Sequence, residues 1–218
     1  MKIRKSEIGF LLIVLLSFVV GFYFYPQMPE SMASHWGVDG QVNGYMPKFW
    51  GVFLMPIISV IMLVFFVVLP RVDPKKENIE KFRNYFDGFV FLIFAFLFYV
   101  YAITLYWNLI TPEARASFSI IKFLVPAFAI LFYYIGILIS HAKSNWSIGI
   151  RTPWTMSQED VWDKTHKLGG TLFKAAAVIS LLGFVFVKYA FWFLLAPVIF
   201  VTLFIVLYSY LLFRKHHK

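Results

Sequence analysis

Late in the chain, Glu159, Asp163 and His166 stand at helical spacing. At i, i+4 and i+7 they share one face of a helix. With His141 a short way upstream, two carboxylates and imidazole nitrogens make a donor set for a hard or borderline divalent ion, or for acid–base chemistry. No H-E-x-x-H pattern, nucleophile elbow or phosphate-cradling glycine loop accompanies them, so a metal or catalytic role is the weakest of three readings. The second reading is a docking surface for another protein. Arg151, Trp154 and Trp162 fall in the same stretch, 145–170, and Arg and Trp dominate interface hot spots. Asn145 opens that stretch. The third reading is an amphipathic helix lying in the membrane interface, with its tryptophans among headgroups and Arg151 on lipid phosphate or helix-end carbonyls.

A second polar stretch, 26–48, holds Glu30, His35 and Asp39, the groups there that titrate at neutral or acidic pH. His35, Trp36, Asp39 and Tyr45 form a candidate ligand-binding set. The alternative is that His35-Trp36 caps the bilayer interface and pins a compact loop, since one histidine without metal-partner spacing carries little weight. Pro26 and Pro29 end the preceding helix, and Asp39-Gly40 and Asn43-Gly44 both read as turns.

The elements that position these residues follow from composition. The chain has 218 residues, 61% hydrophobic and only 14% charged, with a mean hydropathy of +0.75. A soluble domain carries about 25% charged residues. So much apolar surface has no place in water, which makes the bilayer the solvent and lipid the first partner. The net charge of +9 is loop charge that sets topology, not a nucleic-acid footprint. Without cysteine there is no disulfide or thiolate site.

A span needs about 20 apolar residues. Six segments qualify: 8–25, 49–69, 86–110, 119–140, 171–187 and 190–213. The first is too long for a signal-peptide core, so it reads as a retained span. The last two would make one helix of more than about 60 Å, so the chain must turn back at Lys188-Tyr189. The prediction is an all-α polytopic membrane protein of six transmembrane helices in three hairpins. Lys and Arg cluster before the first span, between spans two and three, between four and five, and after the sixth. That bias puts both termini and residues 141–170 in the cytoplasm and residues 26–48 outside. Pro56, Pro126 and Pro197 recur in the even-numbered spans, which suggests a hairpin repeat with kinked helices. No ionisable residue falls at mid-span, which counts against a proton-coupled pump or antiporter.

Within 141–170, Thr152-Pro153 breaks any helix, Ser157 is a candidate N-cap and a helix over 158–168 follows. Gly169-Gly170 either ends that helix or lets it pack closely as span five begins. Asp163 and Lys167 read as an i,i+4 ion pair.

Asn145, Gly149, Ile150 to Thr155, Ser157, Trp162, Thr165-His166 and Gly169-Gly170 together resemble the signature of the SdpI immunity-protein family. Pro29, His35-Trp36, Gly40, Gly44-Tyr45 and Lys48 resemble an uncharacterised N-terminal domain that often precedes it. The division this suggests is an N-terminal region over 1–85 and an SdpI-like domain over 86–218. The resemblance implies a bacterial or archaeal multi-pass protein of the cell membrane, without cofactor, that protects its host from a secreted peptide, the sporulation-delaying toxin. It also implies a receptor that holds a repressor protein at the membrane. It brings no established active site. The rival reading, a membrane enzyme or metal site at the cytoplasmic interface, rests on Glu159, Asp163 and His166.

Overall fold

A computed structural model describes residues 4–215. Ten helices among the described residues are α1 (Lys5–Phe24), α2 (Lys48–Val72), α3 (Lys76–Glu80), α4 (Arg83–Leu109), α5 (Pro112–Ser117), α6 (Ile120–His141), α7 (Pro153–Ser157), α8 (Glu159–Ser180), α9 (Leu182–Val185) and α10 (Ala190–Lys215). Six helical segments are long and apolar enough to cross a membrane: Lys5–Gln27, Lys48–Val72, Arg83–Leu109, Ile120–His141, Glu159–Val185 and Val187–Lys215. Six expected spans and six helical segments agree. Of the loop charges that suggest an orientation, Lys2 and Lys218 lie outside the described residues. Pro56, Pro126 and Pro197 all fall inside helices, α2, α6 and α10.

Two compact units divide the chain: Met1–Val67 with Val90–Leu124, and Val68–Phe89 with Val125–Lys218. The first is held by a cluster of Met28, Met32, Val52, Phe53, Tyr101 and Leu105. Phe10 stacks on Phe94 at 5.7 Å, and Phe22 tilts onto Phe53 at 5.0 Å.

This unit also contains a hairpin that the sequence reading treats as a loop. Strands β1 (Ser31–Trp36) and β2 (Val42–Pro47) pair antiparallel, Ser31 opposite Pro47 and Trp36 opposite Val42, with irregular register around His35. Asp39-Gly40 forms the turn: Gly40 has φ +79°, its N–H donates to Gly37 O (2.9 Å), and Gln41 N–H donates to Asp39 Oδ1 (3.0 Å). Asn43-Gly44 is not a turn. It lies within β2, where a Cβ at Gly44 would fall 2.9 Å from His35 Cβ. The glycine makes room for the opposite residue.

The free edge of β1 is met by a side chain. Asn108 of α4 accepts from Ala33 N–H (2.8 Å) and donates to Ala33 O (3.1 Å), so its amide imitates a neighbouring strand. Arg115 lies over the Trp107 ring at 4.4 Å and donates to the Trp107 and Asn108 carbonyls, 3.0 Å each.

In the second unit, α8 does not stop at Gly169-Gly170. It continues to Ser180 because those glycines face neighbouring chain. A Cβ on Gly170 would overlap Ser140, and one on Gly136 would sit 2.6 Å from Gly170 O. Small residues let two membrane helices approach backbone to backbone. The reversal after α8 uses α9 and a 3-10 turn at Val187–Tyr189, in agreement with the expected break at Lys188-Tyr189. Gly183 admits Ala190 Cα at 3.0 Å from where its own Cβ would be.

Asn108→Ala should strip both partners from the buried Ala33 peptide, at about 1–3 kcal/mol for each unsatisfied group. The expected result is a lower unfolding temperature in detergent and faster proteolysis of 31–47, measured by melting and by limited digestion.

Candidate functional site

The polar residues of the second unit form a knot of irregular chain packed on α8. Between α6 and α7 the chain has no regular structure, so its peptide groups need partners from side chains. Asn145 supplies most of them. It is fully buried, its Oδ1 accepts from Ser147 N–H (2.8 Å) and Ile148 N–H (2.6 Å), and its Nδ2 donates to the Lys143 and Ile148 carbonyls (2.7 and 2.8 Å). The amide has met its full capacity.

Asp73 holds the same loop from the other side. Its Oδ2 accepts from Trp146 N–H (3.0 Å) and from the Ser147 hydroxyl, while Oδ1 accepts from Lys75 N–H (2.7 Å). Lys75 Nζ donates to Ser144 Oγ (2.9 Å) and Asn78 Nδ2 to Ser144 O (2.8 Å). Sequence reasoning missed Asp73, Lys75, Asn78 and Ser144. The available signal was Asp73-Pro74, since an Asp that accepts from the amide two residues on makes an Asx turn.

His166 fixes the next part. Its ring stacks on Trp162 at 3.9 Å between centroids. Nδ1–H donates to Trp162 O (2.8 Å), and Nε2 accepts from Ile150 N–H (2.9 Å). Accepting at Nε2 requires the neutral ring with its proton on Nδ1. Gly149 makes this approach possible. Its φ is +121°, and a Cβ there would lie 2.5 Å from His166 Nε2 and 3.2 Å from the Trp162 ring. The Trp162 indole N–H donates to Ala142 O (2.8 Å).

Thr152 caps α7 reciprocally with Thr155: Thr155 N–H donates to Thr152 Oγ1 (3.2 Å) and Thr152 N–H to Thr155 Oγ1 (2.9 Å). The Thr152 hydroxyl also meets Ser209 of α10 at 3.2 Å, and Trp154 tilts against Tyr210 at 5.1 Å. The expected cap, Ser157, has another role: its hydroxyl donates back to Trp154 O (3.0 Å), and α8 starts after Gln158 without a side-chain cap. A separate short helix, α7, intervenes because Pro153 at its first position favours an immediate start.

The predicted site residues therefore separate by depth. Asn145, Trp162 and His166 are interior, at 0%, 0% and 1% exposure. Glu159, Asp163 and Arg151 are exposed, and Trp154 is half-buried. The Glu159, Asp163, His166 and His141 set does not converge. His166 has both nitrogens occupied, and His141 stacks on Tyr85 with Nδ1 directed to Ile137 O. Among the described residues no group of three or more ligating side chains could hold a metal ion. Asp163 pairs with Lys143 (3.6 Å) rather than Lys167, and Asp160 with Lys164 (2.7 Å). Trp162 does not lie among headgroups, as an interfacial helix would have it, but is wholly enclosed. Arg151 does find a carbonyl, donating to Trp146 O.

In the first unit, the exposed His35 donates from Nδ1 to Asn43 Oδ1 across the hairpin. Trp36 packs edge-on to Trp107 at 5.7 Å, and its buried indole N–H has no partner among the described residues. Asp39 lies exposed in the turn, and Tyr45 is 63% exposed on β2.

These features define a multi-pass helical protein of the cell membrane, with one polar hairpin and one polar, self-satisfied loop knot. Residues 141–209 match the SdpI/YfhL protein family, and residues 12–60 match a domain of unknown function, DUF1648. The stretch matched to the SdpI/YfhL family takes in the knot, α7, α8 and most of α10. It is similar to the immunity protein SdpI of Bacillus subtilis (strain 168), 27% identical over 182 residues, which is 83% of this chain and 79% of the relative. No solved structure matches it.

Two substitutions test the knot. Asn145→Ala leaves two amides and two carbonyls unsatisfied and should cost about 3 kcal/mol or more. Gly149→Ala forces a strained φ and a clash with His166, with loss of similar size. Both should lower the melting temperature of purified protein, while the exposed Glu159→Gln should leave it unchanged within error.

Proposed function

We propose that this chain is a membrane immunity protein that protects its host from a secreted antimicrobial peptide. The supporting observation is the likeness to the immunity protein SdpI, which runs over 83% of the chain and so reaches well beyond the knot. The hairpin is the candidate peptide contact. It presents Tyr45 and Val38, each 63% exposed, next to His35 and Asp39, and Asn108 holds it rigidly at β1. The exposed part of the knot, with Trp146 (56% exposed) and Arg151, is the candidate docking surface for a repressor protein. Its polar chemistry fits that role, since Arg and Trp are effective anchors. The knot faces the cytoplasm and the hairpin faces outward, as the Lys and Arg distribution favours.

The absence of native cysteine makes the orientation directly testable. In intact cells a membrane-impermeant maleimide should label Asp39→Cys at once and Glu159→Cys only after permeabilisation. The opposite pattern overturns the orientation.

Function is tested by survival. Expression in a host sensitive to the sporulation-delaying peptide should raise survival on challenge. His35→Ala and Tyr45→Ala should reduce the protection at equal membrane level, by about tenfold if each contact contributes 1–2 kcal/mol. Full sensitivity of a host carrying well-expressed wild-type protein would remove this peptide as the target.

A further inference from the structure

One cavity in the second unit is polar. A cleft of about 220 Å³ is lined by Asn78, Lys81, Lys143, Glu159, Trp162 and Asp163, together with Ser144. Its back wall is rigid. The Trp162 indole is bonded to Ala142 O and stacked on His166, and Asn78 and Ser144 are bonded to each other and to Lys75. Its charged groups are of both signs. Lys81 is steered by a hydrogen bond to Asn78 Oδ1 (2.8 Å). Among the described residues Lys143 has only a long contact to Asp163 (3.6 Å), with both side chains more than half exposed, an ion pair that water weakens and a ligand displaces at little cost. Glu159 has no cation partner among the described residues.

The position of the cleft matters as much as its charges. Lys143 follows the last residue of α6, a candidate span, by two positions, and Glu159 opens the polar first turns of α8 ahead of that helix's apolar run. The cleft therefore lies where a span gives way to polar chain, the level of lipid headgroups.

We propose that this cleft binds a phosphoethanolamine group, with the phosphate on Lys143 and Lys81 and the primary ammonium on Glu159 and Asp163. Two ammonium and two carboxylate groups give the cleft no net charge. A simple anion would bring its charge against Glu159 and Asp163, and a simple cation would meet the two lysines. A zwitterion with its charges a few bonds apart satisfies both pairs. A primary ammonium is favoured over a trimethylammonium because carboxylates take charge-assisted N–H donors. The usual recognition of the methylated group, over an aromatic face, is closed because Trp162 is stacked on His166 and has no exposed surface.

The source is either a phosphatidylethanolamine headgroup or the free compound, and binding measurements separate them. Full-length protein in phosphatidylcholine nanodiscs is titrated with short-chain phosphatidylethanolamine, phosphatidylglycerol and phosphatidylcholine, and with phosphoethanolamine. The expected order has phosphatidylethanolamine at least ~10-fold tighter than the other two lipids, the effect of one charge-assisted hydrogen bond. Phosphoethanolamine should compete with it. Tighter binding of the lipid than of the soluble compound assigns the site to the membrane, and the reverse order assigns it to the free compound. Glu159→Gln and Lys143→Gln should each weaken binding about tenfold. Lys164→Gln, which removes the partner of Asp160 outside the cleft, should not. Equal affinity for the three lipids, no competition by phosphoethanolamine, or unchanged binding in both cleft variants overturns the proposal. None of these outcomes depends on immunity.

Discussion

The structure of the second unit depends on one constraint: an irregular segment beside a membrane must find partners for its own peptide groups. An unsatisfied buried amide costs about 1–3 kcal/mol. From Lys143 to Arg151 the chain is neither helix nor strand, so regular structure does not pair these groups. Side chains do, and their types follow from the need. Asn145 both donates and accepts, so one buried residue serves four backbone groups. Asp73 accepts only, and it faces the Trp146 amide and the Ser147 hydroxyl. His166 is the one side chain here whose two nitrogens differ in role, donating to its own helix and accepting from Ile150.

The same logic explains the glycines. A loop held this tightly on a helix leaves no volume for a Cβ at the contact. Gly149 sits on the His166–Trp162 stack, and a Cβ on Gly169 would lie only 2.6 Å from Ile150 Cδ1. Gly170 performs the same service for α6. Gly136, Gly169 and Gly170 are therefore not breaks in α6 or α8 but the surfaces on which other chain rests. The helix keeps its hydrogen bonds through them because packing compensates for the low helix propensity of glycine.

That distinction marks what could be read from the sequence. Apolar length gave the spans directly, since α1, α2, α4, α6, α8 and α10 each contain a run that only a bilayer would accept. Lys188-Tyr189 was legible because a single helix of that length cannot fit. The hairpin was not: β1 and β2 are six residues each, and their edge is completed by Asn108, some seventy-five positions away. Asn43-Gly44 carried a turn signal, and the pairing with His35 overrode it. In the knot the right residues were visible, but their direction was not. Glu159, Asp163 and His166 share a helical face on spacing alone. What divides them is the loop that covers His166 and leaves the carboxylates in water, and that loop is folded by Asp73, which no local pattern links to it.

Depth also changes how a functional residue should be recognised here. Asn145, Gly149, Trp162 and His166 make the most distinctive part of the family resemblance, and each is consumed by the fold. A variant at any of them that loses activity reports a collapsed loop as readily as a lost contact, so such a loss identifies no site. The side chains with capacity left over are others: Glu159 without a cation among the described residues, Lys143 with a distant carboxylate, Tyr45 and Trp146 exposed to what surrounds them. A group the fold does not need can be changed without unfolding the protein, and its effect then belongs to binding. In this chain the residues that carry the family resemblance and the side chains that the fold leaves with spare capacity are different sets.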